Sequence, residues 1–268
     1  MNTPLCKETI IQQLKIKHFN KPINLQIYDS IDSTNRILKD LPKSTSIEIA
    51  AAETQTKGRG RFGRDWHSPY GENIYCSSKW DFIFDPIKFS ALSLIVSLAI
   101  LKTIEEFGIK EDISIKWPND IYWFNKKISG TLIELNKDDD QNIEVIIGIG
   151  LNVNSDFTKA QLNMLSDKPW GSLYNISGKY FDRNLLIASL ISNLEQYLTK
   201  FIDNGAKEFL TQWKEVDYLN GKKITIHKGN ETLYGTAMGI NEGGLLILLD
   251  EKGETHYLSS GDASLHYA

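Results

Sequence analysis

From Ile113 to Val153 the chain offers one β-type run after another with only short turns between them. Ile113 to Trp117 alternates apolar and polar residues, and Pro118 ends it. Asn125-Lys126-Lys127 splits Ile121–Phe124 from Ile128–Leu135, Asp138 to Asn142 reads as a polar turn, and Ile143 to Val153 as a further strand. Parallel neighbours need a crossover of a dozen or more residues, so turns this short predict a mixed, largely antiparallel sheet. Leu25–Tyr28, Ile47–Ala52 and Ile74–Trp80 supply more strands.

Helices fill the gaps. Lys7 to Phe19 reads as one short helix, and Asp32-Ser33-Thr34-Asn35 as the polar start of another. Leu92, Ile95, Leu98 and Ala99 mark a long helix that Gly108 closes. Asp182 starts a second, with Leu186, Leu190, Leu194, Tyr197 and Phe201 on one face and Gly205 after it. Ala206 to Val216 reads as a shorter helix. Beyond Asn220-Gly221 come short β-type runs at Lys223–His227, Leu233–Ile240, Leu245–Asp250 and Glu254–Leu258. The expected fold is α+β: a mixed sheet packed with helices over residues 1–218, then a small C-terminal β-barrel over 219–268.

Bulk properties exclude several classes. With 268 residues, 41% of them hydrophobic, the chain can build a real core, and a net charge of −4 argues against a basic nucleic-acid binder. Cys6 and Cys76 make no disulfide framework. The apolar stretch Phe89–Leu101 is broken by serines and falls short of the ~18 residues of a membrane span. The residues before Asp32 hold one helix, where a helix-turn-helix module needs about three. These readings predict a cytoplasmic protein with no membrane partner and no specific DNA partner.

Gly58, Gly60 and Gly63 spell G-x-G-x-x-G, but the dinucleotide reading also needs a helix directly afterwards. Pro69 and Gly71 break the following segment, so that reading fails. What the loop does offer is Lys57, Arg59, Arg61 and Arg64 among glycines, followed by Trp66 and His67. Forked arginine donors and closely approaching backbone N–H groups suit an anion. A solvated cationic loop uses the same letters. Lys116, at a strand end beside Pro118-Asn119-Asp120, is either an anion clamp or an exposed edge lysine. Gly130, and Gly148 to Asn154 with Asn152 and Asn154, suggest close approach of a ligand or a β-bulge.

Five segments occur in order: Asp32-Ser33-Thr34-Asn35, Gln55 through KGRGRFGRDWHSP, KWPND at 116–120, KISGTLIE at 127–134 and GIGLNVN at 148–154. Together they resemble the biotin–protein ligase family. The related lipoate ligases share the fold, but their arginine-rich, triple-glycine signature is not visible here. The resemblance implies a class II aminoacyl-tRNA synthetase/biotin ligase-like catalytic domain. It implies ATP and biotin as substrates, with Mg²⁺ expected and no protein ligand assigned to it. A biotin carboxyl carrier protein is the implied partner, and a homodimer stays open.

The resemblance also implies roles for named residues. Lys116 and Arg61 are catalytic. Ser33, Thr34, Gln55, Gly58, Arg59, Arg61 and Lys116 hold biotin. Arg59, Arg61, Trp66, Asn119, Gly130, Asn152, Asn154 and Trp170 hold the adenylate. Trp170 equally reads as a core tryptophan. Another carboxylic acid substrate, or a sensing module that binds without reacting, is the competing expectation. The loop from Thr56 to Ser68 is expected to order over bound ligand, because glycines cost entropy to fix and like charges repel.

Overall fold

The computed structural model describes residues 3–82, 89–110, 112–137, 143–158, 169–228, 231–259 and 261–265, so the turn expected at 138–142 lies outside the described residues. Helix α1 (Lys7–Ile16) is shorter than expected, because the chain leaves it through Lys17 and His18 turns left-handed at φ 56°. Strand β1 (Ile23–Ile31), helix α2 (Thr34–Lys39) and strand β2 (Ile47–Gln55) form a crossover unit, and β1 and β2 pair in parallel. Then come β3 (Ile74–Phe82), α3 (Phe89–Glu106), β4 (Ile113–Lys116), β5 (Asp120–Trp123), β6 (Lys126–Lys137) and β7 (Ile143–Leu151). The seven strands make one sheet in the order β1-β2-β3-β7-β6-β5-β4, antiparallel beyond β2. This is the mixed, largely antiparallel sheet that the short turns predict.

Alternation sorts the two faces of that sheet. Val145, Ile147, Ile149 and Leu151 belong to the main core, which also holds α3 and the long helix α5 (Arg183–Asn204). Leu92, Ile95, Leu98 and Ala99 of α3 are essentially solvent-free. Each such leucine or isoleucine contributes about 1.5–3 kcal/mol. The polar letters inside α3 stay satisfied along the helix: Ser97 donates to the Ser93 carbonyl at 2.8 Å, and Thr103 to the Ala99 carbonyl at 2.9 Å. On the opposite face Ile146 packs with Leu38 of α2 and Ala50. Next along β7 on that face come Gly148 and Gly150, with Gly130 of β6 directly beside Gly150. A strip of the sheet is therefore bare of side chains.

Asp182 caps α5 by accepting from Asn184 N–H at 2.8 Å, and Gly205 ends it at φ 75°. Arg183, 1% exposed, pairs with buried Glu53 at 2.7 Å and donates to the Asn73 and Thr3 carbonyls. The short α4 (Leu173–Ser177) precedes this cap. The segment expected as one helix from Ala206 splits into a 3-10 turn, Ala206–Phe209, and α6 (Leu210–Val216).

Strands β8 (Lys223–Lys228), β9 (Glu231–Ile240), β10 (Leu246–Leu249), β11 (Thr255–Leu258) and β12 (Asp262–Leu265) form the small C-terminal β unit. It is an antiparallel sheet ordered β11-β10-β9-β8-β12, one strand more than the sequence reading found. Its Ile224, Ile226, Leu246 and Leu248 join the main core. At the junction Tyr218 N–H donates to the Ile115 carbonyl at 3.0 Å, tying the unit to β4, the edge strand that carries Lys116.

Both cysteines are free. Burial pushes the Cys76 thiol up to about 12, so its reactive thiolate is scarce in the folded state. A thiol reagent at pH 8 is expected to modify Cys6 quickly and Cys76 only on unfolding. Rapid labelling of both in native protein, read by peptide mass, would contradict that packing.

Candidate active site

The glycine strip floors a cavity of about 550 Å³ on the face of the sheet away from α3 and α5. That is room for a ligand larger than one small metabolite. Ser33, Thr34, Gln55, Arg59, Arg61, Trp66, Lys116, Asn119, Gly130 and Trp170 all line it. Five separate segments of chain thus supply one cavity, from the ends of β1, β2 and β4, the middle of β6 and the stretch just before α4.

Its cationic wall is built with care for placement. Lys116 is 7% exposed, not the solvated edge lysine that the sequence also allowed. Its Nζ sits 5.5 Å over the Tyr122 ring. Tyr122 stacks on Tyr218 at 5.4 Å, and Lys222 Nζ lies 3.7 Å over Tyr218. Desolvation holds the Lys222 ammonium below the usual lysine range, against the pull of Asp217, and burial raises the Asp217 carboxyl. A two-ring column therefore links the edge of the seven-stranded sheet to the C-terminal unit.

The glycine–arginine loop reaches across. Gly60 N–H donates to the Arg64 carbonyl at 2.7 Å and Trp66 N–H to the Gly58 carbonyl at 2.9 Å. At the tip Phe62 is left-handed, φ 58°, and 65% exposed. Arg61 donates to Asn119 Oδ1 at 3.0 Å and to the Gly261 carbonyl at 3.5 Å. Asn119 Nδ2 in turn donates to the Thr131 carbonyl at 2.5 Å. One arginine thus contacts the KWPND turn and the C-terminal unit together. Trp66 lies against the glycine floor: a Cβ on Gly150 would come within 2.7 Å of its Nε1. That Nε1 is buried without a hydrogen-bond partner.

At the other end Thr34 N–H donates to Gln55 Oε1 at 2.9 Å, while Ser77 Oγ lies 2.7 Å from Thr34 Oγ1. Trp170 is half-buried, stacked with His67 at 5.8 Å and edge-on to Phe157 at 5.7 Å. It is a cavity wall, not a core tryptophan.

Three expected contacts fall outside the cavity lining. Gly58 faces inward, where a Cβ would meet the Trp66 carbonyl and Ser68 Oγ, so it admits the loop's own fold. Asn152 Nδ2 donates to the Gly171 carbonyl at 3.0 Å. Asn154 exchanges both its amide groups with the Phe181 backbone. These two amides join the β7 end to the segments around α4. The sequence reading also missed Asn35, Tyr122, Lys127 and Gly261 as lining residues. Lys127 pairs with Asp120 at 2.7 Å and sits 5.3 Å over Trp66. In the sequence it is indistinguishable from its turn neighbour Lys126.

Residues 27–153 match the model of the biotin/lipoate A/B protein ligase family, and residues 220–266 that of the biotin protein ligase C-terminal domain. The fold and cavity thus define a ligase of the biotin/lipoate type. The chain is 31% identical over 246 residues to the bifunctional ligase/repressor BirA of Salmonella typhimurium, covering 91% of this chain and 75% of that protein. It is 28% identical to the biotin–[acetyl-CoA-carboxylase] ligase of Mycobacterium tuberculosis, over 80% and 77% of the two chains. The Aquifex aeolicus biotin protein ligase in complex with biotin and ATP superposes with a TM-score of 0.76 at 32% identity, over 91% and 99% of the two chains. The chain belongs to the biotin protein ligase family.

Proposed function

We propose that this chain is an ATP-dependent biotin–protein ligase that activates biotin as biotinyl-5′-AMP and transfers it to a lysine of a carboxyl carrier protein. The observation that carries the reading is a buried lysine, Lys116, in the same cavity as Arg61, above a floor without side chains. The biotin carboxylate attacks the α-phosphate of ATP, forming the acyl–phosphate bond and releasing pyrophosphate. Two anions must meet, and Lys116 and Arg61 offset their repulsion as charge shifts to the leaving group. The carrier amine then attacks the acyl carbon and AMP leaves.

Thr34 and Gln55 suit the ureido ring, with Ser33 and Arg59 beside them. Trp66, Asn119, Gly130 and Trp170 suit the adenylate. Asn152 and Asn154 support that surface from behind. Asp65 and Asp120 are the carboxylates among the described lining residues, and Asp120 is paired with Lys127. That set fits a Mg²⁺ held mainly by phosphate oxygens and water, as Mg²⁺ prefers. The ion would neutralise phosphate charge.

The catalytic domain spans 1–218 and the β unit 219–268 in this reading, supported by the C-terminal family match. A cytoplasmic location fits the two free thiols. Among the described residues no helix is long and apolar enough to cross a membrane. Net charge −4 gives no support to duplex binding. The decisive test is incubation with biotin, ATP, Mg²⁺ and a carrier domain, followed by intact mass of the carrier. No mass gain, or pyrophosphate release with lipoate or octanoate in place of biotin, would refute the assignment.

The loop supplies a further prediction. Lys57, Arg59 and Arg64 are exposed. Trypsin is expected to cut there in free protein, and biotin with ATP to slow the cutting as phosphate pins the loop. Arg61→Gly, which loses the Asn119 and Gly261 contacts, is expected to let biotinyl-AMP escape and label lysines on bystander proteins. Equal cleavage rates with and without substrates would rule out the closing loop.

A further inference from the structure

At the α2 end of the cavity, beside the glycine floor, runs a line of buried polar groups that the reaction does not use directly. Asn35 Nδ2 lies 3.3 Å from the Leu132 carbonyl and 2.8 Å from Glu134 Oε2. Asn35 Oδ1 lies 2.6 Å from Ser77 Oγ, and Ser77 Oγ lies 2.7 Å from Thr34 Oγ1. Ser77 is 0% and Asn35 4% exposed. Gly148 leaves the space that Asn35 occupies.

Counting protons along this line leaves one arrangement. A carbonyl only accepts, so the Leu132 oxygen, and the Glu134 carboxylate beside it, require the Asn35 NH₂. Asn35 Oδ1 then faces Ser77, and the Ser77 proton must lie between them. Ser77 has no second proton, so the one between Ser77 and Thr34 comes from Thr34. Gln55 Oε1, 3.1 Å from Thr34 Oγ1, competes for that proton. Were Thr34 to donate there, one of the two shorter oxygen–oxygen contacts would hold no proton and lone pairs would face each other.

We propose that Ser77, Asn35 and Glu134 are positioning residues that fix the polarity of the Thr34 hydroxyl, so that it meets the ligand as an acceptor. Gln55 accepts from Thr34 N–H through Oε1, which leaves Nε2 as its donor. An acceptor beside a donor matches the N–H and C=O of a cyclic urea. A ring oxygen in place of that N–H would set lone pair against lone pair. This inference rests on the proposed contact between Thr34 and the ureido ring.

The test is calorimetric binding of biotin and of its two cyclic carbamate analogues, each with one ring N–H replaced by oxygen. Wild-type protein is expected to reject one carbamate by at least about tenfold. In Ser77→Ala the Thr34 proton is held only by the longer Gln55 contact, so turning to donate to the ligand costs less. That rejection should fall toward unity, with ATP affinity unchanged. If wild type binds both carbamates as tightly as biotin, or Ser77→Ala keeps the wild-type ratio, the relay is overturned. Wild type that binds no biotin would instead sink the functional reading itself. The wild-type arm decides even if Ser77→Ala fails to fold.

Discussion

Replacing Lys116 with alanine is expected to slow biotinyl-AMP formation by about 10²–10³-fold, the usual cost of deleting one preorganised donor at a developing charge. Lys116 is 7% exposed, so its charge acts on a ligand anion with less solvent screening than a surface lysine's would. It sits at the end of β4, where pairing with β5 and the Tyr218 contact to Ile115 fix the backbone. Transfer from pre-formed biotinyl-AMP should suffer less, because that step joins no two anions. Single-turnover pyrophosphate release, with circular dichroism to verify the fold, measures the effect. Near-wild-type release would remove Lys116 from the chemistry.

Gly148→Ala is expected to act through geometry alone. The new Cβ would come within 2.8 Å of Asn35 Cγ, and closer still to Oδ1, on a buried side chain held at both ends. Overpacking a tight interior costs about 1–3 kcal/mol. Here the strain falls on α2, which carries Thr34 and Asn35. A loss of biotin affinity of roughly 5–150-fold follows if that cost is taken from binding. A lowered Tm is expected if it is taken from folding. Calorimetry and thermal melts on the same sample separate the two. A variant unchanged in both would show that Asn35 can yield, and the packing argument would fail.

Much of this architecture was legible in the letters, for identifiable reasons. Helices α3 and α5 announce themselves through apolar spacing and end at Gly108 and Gly205, both left-handed, where few other residues fit. The β5–β6 hairpin follows from its turn residues. Strand β12 was missed because four residues, Asp262–Leu265, carry too little alternation to rise above a loop.

The site divides in the same way. Lys116 and the arginine loop stand out because cations beside glycines and strand ends have few other uses. Asn152 and Asn154 lie in an equally suggestive run, yet their amides meet backbone carbonyls. A polar letter does not say whether its partner is chain or ligand. Asn35 reads in the sequence as a helix-start residue and a member of a family-like segment, with no role at the site attached to it. Its role emerges from Ser77 and Glu134, far away in sequence and adjacent only once β3, β6 and β7 are in register.

The bare strip formed by Gly130, Gly148 and Gly150 also sets a direction for change in what the enzyme accepts. Most pockets are widened by trimming a side chain. This floor is already main chain, and nothing remains there to trim. A side chain at these positions has to displace Asn35, Trp66 or Lys127, which already lie against them. Selection for a bulkier acid would have to work on the walls, at Thr34, Gln55 or Trp66, or else move the backbone. At the floor one base change can only add bulk, so broader acceptance has to come from those walls or from the backbone.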